Sequence, residues 1–209
     1  QDKIMTTGGE GGMLTTNNGE LWEKAWSFKD HGKSWSAVYE DSHPPGFKWL
    51  HKSFGTNWRL TEMQAAIGRV QLGKLEGWVL KRNQNALRLS ECIRDIPALR
   101  IAEPPVSIRH AYYKYYAFIR PEKLHSGWDR DRIMQEITEA GVPCQSGICP
   151  EVYLEKAFLD AGLAPSKRLP NAKALGETSL MLLVHPTLGE EHMELTCQAL
   201  QLVLGRASE

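Results

Sequence analysis

Between Thr61 and Pro97 the chain carries one long helical pattern, and that run limits every architecture open to it. Met63, Ile67 and Val70, then Leu75, Val79, Ala86, Leu89, Ile93 and Ile96, recur at steps of three, four or seven until Pro97 removes the next backbone donor. Thr61 with Gln64 makes a capping box, in which the hydroxyl takes the amide three residues on and the Gln side chain reaches back. The run exceeds an ordinary globular helix. It predicts either one straight helix or two with a break near Gly73 or Gly77, bridging two parts of the fold.

Downstream, HAYYKYYAFIRP (110–121) alternates in a way that predicts a strand covered on both faces. Asp129 can cap a helix carrying Ile133, Ile137 and Ala140 and closed by Gly141, after which VPCQSGI returns as a strand. SLMLLVHP is a buried strand, and Thr187 with Glu190 offers a second capping box for a last helix through Leu204. Strand, helix, strand, strand, helix describes a small α/β domain. Upstream, residues 4–16 predict two short extended segments around GGEGG, and Asn17 or Asn18 caps a helix with Leu21, Ala25 and Phe28 on one face and Gly32 at its end. The irregular stretch that follows, KSWSAVYEDSHPPGFKWLHKSFGTNW, is long enough to be functional or interfacial.

Lys plus Arg and Asp plus Glu number 25 each, so no strong field favours nucleic acid or an anionic membrane. The longest apolar runs, such as LMLLV at 180–184, fall far short of a membrane span, and a cytoplasmic protein is expected. Cys92, Cys144, Cys149 and Cys197 are too few for a disulfide scaffold, which predicts reduced thiols. The CQSGIC spacing has no matching second pair and no HExxH occurs, so no metal site is expected.

The opening KIMTTGGEGG lacks the GxxxxGK[ST] order of a phosphate loop. Its glycines suit a hairpin turn, or a place where backbone lies close to a bound ligand. Lys3 taken alone reads as a solvated surface group. Read as a set, KIMTTGGEGGMLTTN, then HG at 31–32, GTNWRLTEMQAAIGRVQLGKL (55–75), HAYYKYYAF, LPNAKAL (169–175) and the strand ending in HPTL resemble the DegT/StrS family of sugar aminotransferases. The resemblance covers essentially the whole chain. The lysine followed by GEGG and the G-x-N-x-R-x-T-E-x-Q-A-A run are its specific parts.

The resemblance implies a pyridoxal 5′-phosphate enzyme of fold type I, and an α/β chain that is its C-terminal portion, beginning just before the active-site lysine. Residues 1–96 would be the end of the large cofactor-binding domain plus the long connecting helix, and 97–209 the small domain. Lys3 would be the Schiff-base lysine, and Asn57 would reach across a homodimer to the cofactor phosphate of the other subunit. From the residues alone Asn57 also reads as a turn residue before a helix. Arg59 would meet a donor carboxylate or a sugar phosphate, or else serve a structural ion pair. His185 and Glu10 would line the sugar pocket, or be a satisfied strand-end histidine and a solvated turn glutamate. Trp35, Trp49 and Trp58 could stack on a sugar or base, or pack a core or an interface. The implied reaction moves an amino group from L-glutamate, releasing 2-oxoglutarate, to the keto sugar of a nucleotide sugar. The alternatives are a non-catalytic regulator with the same fold and a sugar dehydratase, which usually carries histidine where Lys3 stands. With the upstream half absent, the chain alone is expected not to complete a cofactor site.

Overall fold

A computed structural model describes residues 3–208. They divide into two compact units, the first ending at Leu75 and the second beginning at Glu76. The division falls inside the long helix, upstream of the expected 96/97 boundary. The physical reason is burial: Val79, Arg82, Asn85, Ala86, Leu89, Ser90 and Ile93 all face the interior of the second unit.

In the first unit Asn18 caps helix α1 (Gly19–Lys29), its side chain accepting from the Leu21 amide. Ser34 caps the short α2 (Trp35–Tyr39). The two extended segments expected within 4–16 do not form. Local turns take their place, with Thr6 Oγ1 accepting from the Gly8 amide and Thr7 Oγ1 donating to the Gly9 carbonyl. Helix α3 (Glu62–Ile93) is continuous through both Gly73 and Gly77. Thr61 Oγ1 accepts from the Gln64 amide as expected, and the Gln64 side chain reaches back to the Thr61 hydroxyl, its Oε1 accepting from Oγ1 at 3.0 Å, while its Nε2 donates to the Glu10 carbonyl at 3.0 Å. Among the described residues of this unit only Asp30, Gly32 and Ala37 are buried. Aromatic rings fill the remaining space edge to face, Trp35 lying 4.9 Å from Trp22 and 5.1 Å from Trp26.

The second unit is a four-stranded antiparallel sheet backed by helices. Strand β1 (Leu99–Ile101), β2 (Tyr115–Ile119), β3 (Cys144–Gln145) and β4 (Ser179–Leu182) lie in the order β1-β2-β4-β3. Register pairs Leu99 with Ile119 and Ala117 with Leu180. β2 is shorter than the tyrosine-rich run suggested, and its two faces are covered unequally: Tyr115, Ala117 and Ile119 are buried while Tyr116 and Phe118 are partly buried. Asp129 caps α4 (Arg130–Glu139) as expected, accepting from the Arg132 amide at 2.8 Å. Two further helices, α5 (Lys156–Asp160) and α6 (Pro170–Thr178), precede the last one, α7 (Glu190–Ala207). Gly189, not Thr187, occupies the N-cap of α7, because the Thr187 hydroxyl is paired with His185 Nδ1 at 2.7 Å.

The core joins Ala86, Leu89 and Ile93 of α3, Ile133 and Ile137 of α4, and Met193, Leu200, Val203 and Leu204 of α7 to Tyr115, Ala117, Leu180 and Leu182 of the sheet. Each such aliphatic side chain contributes about 1.5–3 kcal/mol by leaving water. Cys92 and Cys197 form a disulfide between α3 and α7, at a sequence separation of 105. This corrects the expectation of reduced thiols at those two positions: α3 and α7 pack face to face and bring their Cα atoms within 5.9 Å. Cys144 and Cys149 remain thiols, and burial pushes Cys144 up to about 12. Among the described residues no helix is long and apolar enough to cross a membrane, and none of their His, Cys, Asp and Glu side chains group as metal ligands.

Candidate active site

The first unit's long irregular segment is a folded return. Its far end runs antiparallel to the end of α1, the Thr56 amide bonding to the Phe28 carbonyl, His31 to Thr56, and Trp58 to Lys29. Asp30 pairs with Asn57, and Lys33 with His51, as isolated bridges. The two glycines that the sequence places in HG and GTN make this approach possible. A Cβ on Gly32 would overlap the Ser53 carbonyl, and one on Gly55 would overlap the Gly32 nitrogen and the Phe28 oxygen. Gly32 also holds φ +84, a left-handed conformation natural to glycine.

This crossing brings Asn57 and Arg59 together with Asp30 and His31. Arg59 Nε donates to Asn57 Oδ1 at 3.2 Å and lies 3.4 Å from Asp30 Oδ1. Arg59 Nη2 lies 3.3 Å from His31 Nε2, and Lys33 Nζ is 3.3 Å from the same Asp30 oxygen. Asp30 is 7% exposed, so its charge is held largely out of water between two cations. Arg59 therefore forms the ion pair that was one of its two sequence readings. Asp30 and His31 were not foreseen as site residues. Their only signal was position, immediately before and within the HG pair.

The other expected site residues are placed as follows. Lys3 is an exposed residue ahead of the glycine-rich turns. Glu10 is exposed and contributes its backbone carbonyl to Gln64, not a side-chain contact. His185 belongs to the second unit, where its ring meets Thr187 and its carbonyl accepts from Asn85 at 3.2 Å. Of the tryptophans, Trp35 packs in the aromatic cluster, Trp49 pairs edge to face with Phe47 at 5.0 Å, and Trp58 pairs with Phe28 at 5.3 Å.

A second polar cluster in the small unit is structural in character. The Arg168 fork holds the Glu151 carboxylate, Nε to Oε1 at 2.9 Å and Nη2 to Oε2. Tyr153 donates to Glu151 and accepts from the Leu169 amide. The cluster ties the irregular turn at 151–155 to the start of α6.

A profile of the DegT/DnrJ/EryC1/StrS aminotransferase family matches residues 1–201. An aminotransferase from Psychrobacter cryohalolentis, known by crystal structure, is 54% identical and superposes with a TM-score of 0.93, over 98% of this chain and 54% of that one. Among curated relatives, the erythromycin biosynthesis sensory transduction protein EryC1 of Saccharopolyspora erythraea is 28% identical over 88% of this chain and 44% of its own length. The dTDP-3-amino-3,4,6-trideoxy-alpha-D-glucose transaminase of Streptomyces venezuelae is 27% identical over 86% of this chain and 42% of its own. This chain thus spans about half the length of the proteins it matches. The matched span takes in the lysine, the crossing at Gly32 and Gly55, the long helix and the sheet, and the chain therefore belongs to the DegT/DnrJ/EryC1/StrS aminotransferase family.

Proposed function

We propose that this chain is the C-terminal part of a homodimeric, pyridoxal-phosphate-dependent transaminase that passes the amino group of L-glutamate to the keto sugar of a nucleoside-diphosphate sugar. The observation that carries the reading is the orientation of Asn57. Its carboxamide oxygen accepts from Arg59, which turns the amide nitrogen to the opposite side as a neutral donor, the polarity a phosphate oxygen requires. The residues present fit the cofactor. Lys3 is an exposed primary amine, and a Cβ added at Gly12 would meet nothing within 4 Å, so backbone and ligand can approach there.

When bound, the cofactor supplies an aldehyde and an electron-accepting ring. Lys3 supplies the amine that anchors it and moves the proton at the donor's α-carbon. An arginine could do neither, since its guanidinium stays charged and is a poor nucleophile. Asn57 holds a phosphate of the neighbouring subunit's cofactor, and Arg59 sets its orientation. The family resemblance gives Glu10 and His185 each a role in binding the sugar. The name of the Streptomyces venezuelae relative, a transaminase of a dTDP-linked sugar, supports the substrate class.

EryC1's name describes a sensory transduction protein, which favours the regulator reading. Retention of Lys3 weighs against it, because a non-catalytic relative has no need of that amine, and against the dehydratase for the same reason. The test is covalent trapping. The full-length protein is loaded with pyridoxal 5′-phosphate, reduced with borohydride and digested, and the pyridoxyl mass is expected on the peptide containing Lys3. Product analysis with glutamate and a keto-sugar panel should show an amine gained and no hydroxyl lost. Label on another lysine, or none, sinks the assignment.

A further inference from the structure

Resting on the phosphate reading of Asn57, we propose that Asp30 and His31 are positioning residues. They hold Arg59 so that Asn57 can present only its nitrogen to a phosphate ester. A carboxamide can point either end outward, and the two faces have opposite polarity. With the oxygen outward Asn57 would repel a phosphate, so recognition depends on what fixes the flip.

Arg59 Nε fixes it, donating to Asn57 Oδ1 at 3.2 Å. A guanidinium on a half-exposed side chain does not hold that angle alone. Two further contacts hold it: Asp30 Oδ1 at 3.4 Å from Nε, and His31 Nε2 at 3.3 Å from Nη2. His31 can accept there only as neutral imidazole with its proton on Nδ1. Its backbone sits at φ 60, a left-handed conformation uncommon outside glycine but one that histidine tolerates better than most, immediately before the glycine crossing. Asp30 is the anchor of the group. Its side chain is 11% exposed, it is braced by Lys33, and its backbone bridges Asn57 itself. Carboxylate, guanidinium and carboxamide thus form one chain, Asp30 to Arg59 to Asn57, with His31 clamping the fork from the side. Nε and Nη2 of Arg59 are both turned toward this group, which gives Arg59 a part in orienting Asn57.

The experiment compares, in the full-length protein, the affinity for pyridoxal 5′-phosphate with that for pyridoxal, which lacks the phosphate. The ratio of the two isolates phosphate recognition from folding and from ring binding. Asn57→Ala is expected to lower the ratio by roughly 3- to 10-fold, the scale of one lost hydrogen bond. Asp30→Asn should lower it by a similar factor while leaving pyridoxal affinity unchanged. The double variant should be no worse than Asn57→Ala alone, since all act through one contact. Arg59→Lys, which keeps the charge but not the fork, should match Asp30→Asn and serves in its place should that variant not fold. An unchanged ratio in Asn57→Ala overturns the phosphate reading and this proposal with it. A lowered ratio in Asn57→Ala with none in Asp30→Asn or Arg59→Lys overturns the positioning role alone.

Discussion

Glu151 has 8% of its side chain exposed and is held by the Arg168 fork and by the Tyr153 hydroxyl, which together bring its carboxyl down to about 2. In the unfolded chain the same carboxyl titrates near 4.3. A depressed folded value means the group stabilises the fold fully above about 4.3, and that contribution disappears as pH falls toward about 2. The urea midpoint of the wild type should therefore exceed that of Glu151→Gln at pH 6, with the gap closing steadily below about 4.3. A gap independent of pH would show that Glu151 acts through packing alone. Residue chemistry of this kind was unreadable in the sequence, because Glu151, Tyr153 and Arg168 meet only after the chain turns back on itself. Lys3, Asn57 and Arg59 stand in contiguous motifs, which is what allowed the sequence to nominate them. Asp30 and His31 fall between these cases, adjacent to the HG signal but given a role only by the crossing that seats them beside Arg59.

Helix α3 shows how far periodicity reads at the scale of an element. Its apolar steps fixed its start at the capping Thr61 and its end to about three residues, the helix stopping at Ile93 and not at Ile96, but they could not say whether Gly73 or Gly77 broke it, since a glycine weakens a helix without forbidding it. Tertiary burial on the 79–93 face carries the helix through. Gly77 is exposed, and a Cβ there meets nothing within 4 Å, so Gly77→Ala should stabilise the chain by about 0.5–1 kcal/mol through helix propensity. The melting temperature should rise by about 1–4 °C, visible by circular dichroism. A fall would mean that another surface packs on that glycine. The short elements were harder to read. β1 has three residues and β3 two, too few for alternation to register, and both exist because β2 and β4 give them partners. Among the described residues no strand lies beside the segments around GGEGG that were expected to be extended, and hydroxyl-to-backbone bonds close the turns locally.

At the scale of the whole molecule the two units differ in what holds them. The second has a continuous core in which Leu89, Ile93, Ile133, Ile137, Leu180, Leu182 and Leu204 are fully buried. The first buries no large aliphatic side chain among its described residues, and α1 has no buried residue at all. It also exposes Met13, Phe47, Trp49, Phe54, Trp58 and Met63, each at 70% or more. Hydrogen bonds across the Gly32 crossing and edge-to-face aromatic contacts are what remain to order it. Opening such a unit exposes little that was hidden, so its local stability must be far below that of the sheet. Deuterium uptake by the 209-residue chain should follow that division. Amides of β2, β4 and α7 should exchange slowest, through global opening, and those of α1 should exchange faster than those of any core helix. In the full-length protein, where we propose that the remaining domain and a second subunit cover these side chains, α1 should slow by at least an order of magnitude while β2 and β4 change little. Equal protection of α1 and α7 in the short chain would show that the first unit is stable by itself, and would remove the reason for expecting a covering surface.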